Sequence, residues 1–92
     1  MPQDRAIVEW TVGELAEVLV PKWGTSMAEA TIVHWHIEVG QAVREGDPIV
    51  DLETDKVEAT VESPCDGVVV DTFGVVDDVR EVGTTLAIIE ET

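Results

Sequence analysis

One passage of this chain is written twice. Val43-Arg44-Glu45-Gly46-Asp47-Pro48-Ile49-Val50-Asp51-Leu52-Glu53 returns as Val79-Arg80-Glu81-Val82-Gly83-Thr84-Thr85-Leu86-Ala87-Ile88-Ile89-Glu90, once one residue is inserted before Gly83. Arg44-Glu45 then meets Arg80-Glu81, Ile49 meets Leu86, Leu52 meets Ile89 and Glu53 meets Glu90. A repeat this short cannot bury enough apolar surface alone, so each copy must complete its core from its twin. Val and Ile dominate the apolar residues and Gly and Pro interrupt them at short intervals, which favours many short strands over helices. The fold predicted is all-β: two small antiparallel sheets packed face to face as a flattened barrel or sandwich with quasi-twofold symmetry.

In such a fold the end of the first copy and the start of the second meet at Lys56, and the chain termini lie at the corresponding place on the opposite sheet. Val50 and Leu52 before it, and Val57 and Val61 after it, read as half-buried strands, with Thr54-Asp55-Lys56 as the polar turn. Asp55 suits a turn because its carboxylate can bond the backbone two residues on, which directs Lys56 outward. A solvated loop lysine is the plain reading. A lysine on a rigid hairpin is also a candidate attachment point.

Ninety-two residues allow one domain, and 45% hydrophobic with 27% charged residues is a globular composition. A formal net charge of −15 repels phosphate backbones and anionic lipid, so nucleic-acid and membrane-surface binding are not expected, and a docking partner should present a basic surface. No apolar run is long enough to span a bilayer, and the first residues lack the hydrophobic stretch of a signal peptide, so the expected compartment is cytoplasmic. The single cysteine, Cys65, lies in the turn sequence Ser63-Pro64-Cys65-Asp66-Gly67 and reads as a packing residue whose acidic neighbours disfavour the thiolate.

Residues 1–16 read as an N-terminal extension, an extra strand on Val8, Trp10 and Val12 or a loosely ordered arm, and residues 17–92 as the domain. Glu17 to Val20 is a predicted strand stopped by Pro21, and Lys22 to Ala30 is a loop whose Trp23 and Met27 either cover the core or meet a partner. From Thr31 to Val39 the chain alternates, with Val33, Trp35, Ile37 and Val39 inward and His34, His36 and Glu38 outward. His-x-His on one strand face can hold zinc, but with no third ligand visible nearby the pair reads as solvent-facing.

Trp23-Gly24-Thr25-Ser26-Met27-Ala28-Glu29-Ala30-Thr31-Ile32-Val33, Val39-Gly40, Gly46-Asp47-Pro48, Glu53-Thr54-Asp55-Lys56-Val57, Ser63-Pro64-Cys65-Asp66-Gly67 and Val82-Gly83 follow one another in a familiar order. From about residue 17 to residue 91 the chain closely resembles the lipoyl domains of 2-oxo acid dehydrogenase complexes, of the dihydrolipoyl acyltransferase type, in the biotinyl/lipoyl attachment family. The resemblance implies that Lys56 carries lipoic acid in amide linkage as a swinging arm for acyl groups and electrons. In that family Asp-Lys-Val or Asp-Lys-Ala marks lipoylation and Met-Lys-Met biotinylation; here the flanks are Asp55 and Val57. The H protein of glycine cleavage is the less similar relative. Asp77 and Asp78 fall where the family often has Gly-Asp, with Val76 in place of glycine, so that turn is expected to be distorted.

Also implied are the partners: a lipoate ligase or lipoyl transferase, a thiamine-diphosphate-dependent decarboxylase, an acyltransferase and a dihydrolipoamide dehydrogenase. Nothing in the chain resembles a catalytic triad or a metal site, so the expected role is a carrier rather than an enzyme. Discrimination by partners is assigned to the loop beside the lysine (Trp23, Gly24, Thr25, Ser26, Met27, Glu29) together with Glu53, Thr54, Asp55, Val57 and Glu58. A monomer is expected, with a dimer through the N-terminal segment as the other arrangement. The first 16 residues lean toward a free-standing protein rather than one domain of a longer component. The competing functions are a biotinyl carrier of a carboxylase and an unmodified interaction module.

Overall fold

The structure is a computed structural model and describes residues 14–24 and 27–92. Eight strands form two four-stranded antiparallel sheets: β1 (Leu15–Leu19), β2 (Glu29–Trp35), β3 (Ala42–Val43), β4 (Pro48–Glu53), β5 (Glu58–Glu62), β6 (Gly67–Thr72), β7 (Val79–Glu81) and β8 (Thr85–Glu91). One sheet has the order β1-β8-β6-β3 and the other β5-β4-β2-β7. The all-β double sheet stands as predicted, and position by position the two orders are the same sheet made from different copies of the repeat. β1 begins at Leu15, paired with Glu90, inside the stretch assigned to the N-terminal extension. The suggested strand on Val8, Trp10 and Val12 lies outside the described residues.

The copies superpose without a gap, which corrects the alignment read from the sequence. Gly40 at φ 93° corresponds to Asp77 at φ 81°, and Gly46 at φ 91° to Gly83 at φ 88°. Gly40 N–H donates to Val69 O at 2.7 Å as Asp77 N–H does to Ile32 O at 2.8 Å; His36 N–H reaches Ile49 O at 2.9 Å as Phe73 N–H reaches Leu86 O at 2.8 Å. At this constant offset Ala42 matches Val79, Val43 matches Arg80 and Glu45 matches Val82. The repeated Val-Arg-Glu letters had drawn the pairing one residue out of step. The residue in the glycine's place is therefore Asp77 rather than Val76, and the turn is intact: Asp78 N–H donates to Val75 O at 3.0 Å and Asp78 Oδ2 accepts Val75 N–H at 3.0 Å.

The core lies between the sheets, and its largest fully buried members pair up as twins: Ile32 with Val69, Ile49 with Leu86, Leu52 with Ile89. Each such side chain contributes on the order of 1.5–3 kcal/mol by leaving water. Bulges are twinned as well. Register slips between Ile32 and His34 on β2 and between Val69 and Asp71 on β6, so Val33 and Val70 are the extra residues. That slip corrects the uniform alternation expected along β2. Ala30 and Ile32 face the core before the bulge and Trp35 and Ile37 after it, whereas Val33 is half-buried and Val39 is 58% exposed in the turn.

Candidate functional site

β4 and β5 form a two-strand ribbon at the edge of the second sheet, with Glu53 opposite Glu58. Two carboxylates directly across a ladder repel one another, so the ribbon ends in dense negative charge. Its turn is Thr54-Asp55-Lys56-Val57. Thr54 N–H donates to Val57 O at 2.7 Å, while Thr54 Oγ1 accepts Val57 N–H at 3.1 Å and donates to Val57 O at 3.3 Å. The Thr54 hydroxyl, not the Asp55 carboxylate, closes the bend, which corrects the expectation from sequence. No turn residue has positive φ, so Lys56 is held without backbone strain. It is exposed, and among the described residues the one side-chain pair at ion-pair distance is His36 with Asp51, a charge pair only when His36 is protonated, and it does not include Lys56.

The opposite wall is the connection from β1 to β2. Met27 N–H donates to Gly24 O at 3.1 Å, Trp23 N–H contacts Met27 Sδ at 3.3 Å, and Val82 N–H donates to Ala28 O at 2.9 Å, pinning this connection to the turn before β8. Met27 packs on the core, which is the first of the two options for this pair, and Trp23 stays 38% exposed. Trp23, Gly24, Met27 and Glu29 line a depression whose other side is Glu53, Thr54, Asp55, Lys56 and Val57. Glu58 lies outside that lining, on β5, and Thr25 and Ser26 lie outside the described residues. Ala28, Ala30 and Thr31 also line it and were not singled out from sequence; Thr31 arrives there because it pairs with Glu53.

The twofold symmetry shows what is special about this end. Val20-Pro21 matches Ser63-Pro64, since Val20 N–H donates to Thr84 O at 3.0 Å as Ser63 N–H does to Asp47 O at 2.8 Å. Glu29 then matches Asp66, so the segment Lys22 to Ala28 stands where the twin has Cys65 alone. Cys65 is half-buried against the core, and burial, followed by Glu91, Asp66 and Glu45, pushes its thiol up from the ordinary range. It is a packing residue at the end of the molecule opposite the lysine turn.

An ε-amine exposed on an unstrained turn, without an ion-pair partner among the described residues and beside a depression, fits acylation. The biotinyl/lipoyl attachment family, whose model is described as biotin-requiring enzyme, matches residues 16–89, and the chain belongs to it. Domains of this family are carriers that hold lipoate or biotin covalently. Within the family this is a lipoyl domain of the kind found in dihydrolipoyl acyltransferases. It is 34% identical over 80 residues to the dihydrolipoyllysine-residue acetyltransferase component of the acetoin cleaving system of Pseudomonas putida, covering 87% of this chain and 22% of that protein. It is 40% identical over 77 residues to the dihydrolipoyllysine-residue succinyltransferase component of the 2-oxoglutarate dehydrogenase complex of Staphylococcus saprophyticus, covering 84% of this chain and 18% of that protein. The chain thus spans about a fifth of each. The solved lipoyl domain of the 2-oxoglutarate dehydrogenase complex from Azotobacter vinelandii superposes with a TM-score of 0.64 at 32% identity, covering 80% of this chain and 96% of that one. A long-chain acyl-CoA carboxylase shares the fold, with a TM-score of 0.70 at 18% identity, over 85% of this chain and 7% of that chain.

Proposed function

We propose that Lys56 is the lipoylated residue and that the domain shuttles acyl groups and electrons among the active sites of a 2-oxo acid dehydrogenase-type complex. The observation that carries this reading is the exposed lysine at the tip of the β4–β5 hairpin, flanked by Asp55 and Val57 and without an ion-pair partner among the described residues. Lipoate on that amine supplies a dithiolane that accepts an acyl group together with two electrons. The chain's own residues supply placement. Thr54 fixes the turn, the paired strands behind it keep the attachment point from folding back, and the tether holds its cargo at high effective concentration among partner sites.

Lysine side chains are ammonium ions at neutral pH, so attachment requires a separate lipoate ligase or lipoyl transferase. Trp23, Met27 and Glu29 on one side and Glu53, Asp55 and Glu58 on the other are the surface it reads, and the acids favour a basic partner face. The same surface serves the thiamine-diphosphate-dependent decarboxylase, the acyltransferase and the dihydrolipoamide dehydrogenase.

Intact mass of protein from lipoate-supplied cells, with fragmentation to locate the addition, tests the reading. A lipoyl increment on Lys56, absent from Lys56→Ala, is expected, with stability changed by no more than about 0.5 kcal/mol in the variant. A biotinyl increment moves the domain to the carboxylases. An unmodified chain, in cells that lipoylate another domain, overturns the carrier role in favour of an interaction module.

A further inference from the structure

The outer face of the sheet that presents Lys56 holds a second group of side chains that the carrier role leaves unused. His34 and His36 are both exposed on β2 and the loop just after it, with ring centroids 4.7 Å apart and ring planes at 78°. His36 Nε2 is 2.9 Å from Asp51 Oδ1 on β4, and Thr60 Oγ1 on β5 donates to the same oxygen at 2.6 Å. Asp51 is the cross-strand partner of both His34 and Thr60, so the group runs across three strands.

A carboxylate offers only acceptors, so the proton in the His36–Asp51 bond belongs to His36 Nε2, and in the neutral ring Nδ1 is then the basic nitrogen. An imidazole N–H given to a carboxylate is the arrangement that fixes the tautomer of metal-ligating histidines and raises their basicity. The two rings meet edge to face, and their spacing also allows a shared ion once these exposed side chains turn a nitrogen each toward it. With metal–nitrogen bonds of about 2.0–2.1 Å each centroid stands roughly 3.2 Å from the metal, and two neighbouring imidazoles then have centroids about 4.5–5.2 Å apart. Among the described residues no three His, Cys, Asp or Glu side chains gather into a cage. A two-histidine chelate with water in the remaining positions needs none.

We infer that His34 and His36 chelate a divalent late-transition-metal ion on the outer face of this sheet, with Asp51 orienting His36. Imidazole suits Zn2+, Ni2+ and Cu2+, and the general affinity order puts Cu2+ first. A net charge of −15 raises the local concentration of any cation. Unlike the acidic patches, which attract such ions without discrimination, the histidine pair supplies ligands that hold one in place.

The test is titration of the untagged full chain with Cu2+ by calorimetry, with amide NMR spectra recorded in parallel. One ion per chain is expected, with paramagnetic broadening centred on His34 and His36. His34→Ala and His36→Ala should each weaken binding about tenfold or more, and Asp51→Asn also by about tenfold, as loss of an orienting partner does. His34→Gln and His36→Gln keep the face polar and check against unfolding. Binding unchanged in both histidine variants, broadening centred on carboxylates elsewhere, or no binding below about 1 mM, where an affinity is only about 4 kcal/mol, overturns the site.

Discussion

At the tip of the β4–β5 hairpin the backbone N–H of Val57 is taken up by the Thr54 hydroxyl, and the Asp55 carboxylate remains with solvent. These adjacent polar residues therefore have different duties, the first structural and the second electrostatic. Thr54→Val keeps the shape but leaves the exposed Val57 N–H to water in place of the hydroxyl, and is expected to cost about 0.5–1.5 kcal/mol. Asp55→Ala should fall within about 0.5 kcal/mol of the parent and act only on partner recognition. Urea unfolding of the two variants separates these roles; equal losses would mean that the hydroxyl does not close the turn. The sequence made the turn legible through its polar residues but not its chemistry, because Thr and Asp both bond to nearby backbone and only the folded turn shows which one does.

Among the strands, legibility follows how local the cause is. Leu52 and Ile89, or Gly46 and Gly83, could be matched on paper because burial and left-handed backbone each select a narrow set of residue types. The pairing of Val43 with Arg80 could not, since those positions share a backbone role and no side-chain chemistry. The row His36–Asp51–Thr60 was hidden for another reason: which residues face one another across β2, β4 and β5 depends on the bulge at Val33, and one half-buried valine in an apolar strand gives no sign of it. A sharper test of the twinned architecture lies in β2 and β6. Gly67 matches Ala30, yet a Cβ on Gly67 would lie 2.2 Å from Glu90 O and 2.7 Å from Ile89 Cγ2, while Ala30 is accommodated at 2% exposure. Gly67→Ala must push backbone against backbone and is expected to cost about 3 kcal/mol, whereas Ala30→Gly loses only roughly 1 kcal/mol through strand entropy. Guanidinium midpoints of the two variants check the asymmetry, and a Gly67→Ala protein as stable as the parent would contradict the close packing of β6 on β8.

For the whole molecule, symmetry turns a question about recognition into one with an internal control. Glu91 N–H donates to Glu14 O at 2.8 Å as Thr54 N–H donates to Val57 O at 2.7 Å, so Glu14 and Glu91 meet where the twin of the lysine turn would be. Counting along the sequence alone, Thr92 answers to Asp55 and Gly13 to Lys56. A circular permutant opened between Val39 and Gly40, lacking residues 1–12, with Thr92 joined to residue 13 and carrying Gly13→Lys, presents a second hairpin lysine on nearly the same frame. Adding Glu91→Thr, Thr92→Asp, Glu14→Val and Leu15→Glu, the last because Leu15 pairs with Glu90 as Glu58 pairs with Glu53, gives both turns the same four residues and the same flanking acids. The main remaining difference is the wall beside them: Lys22 to Ala28 at one end and Cys65 alone at the other. If the ligase reads that loop, mass spectrometry of the permutant from lipoate-supplied cells finds the lipoyl group on Lys56 and not at position 13. Equal modification at both would mean that the hairpin alone suffices, and that Trp23 and its neighbours serve a later partner instead.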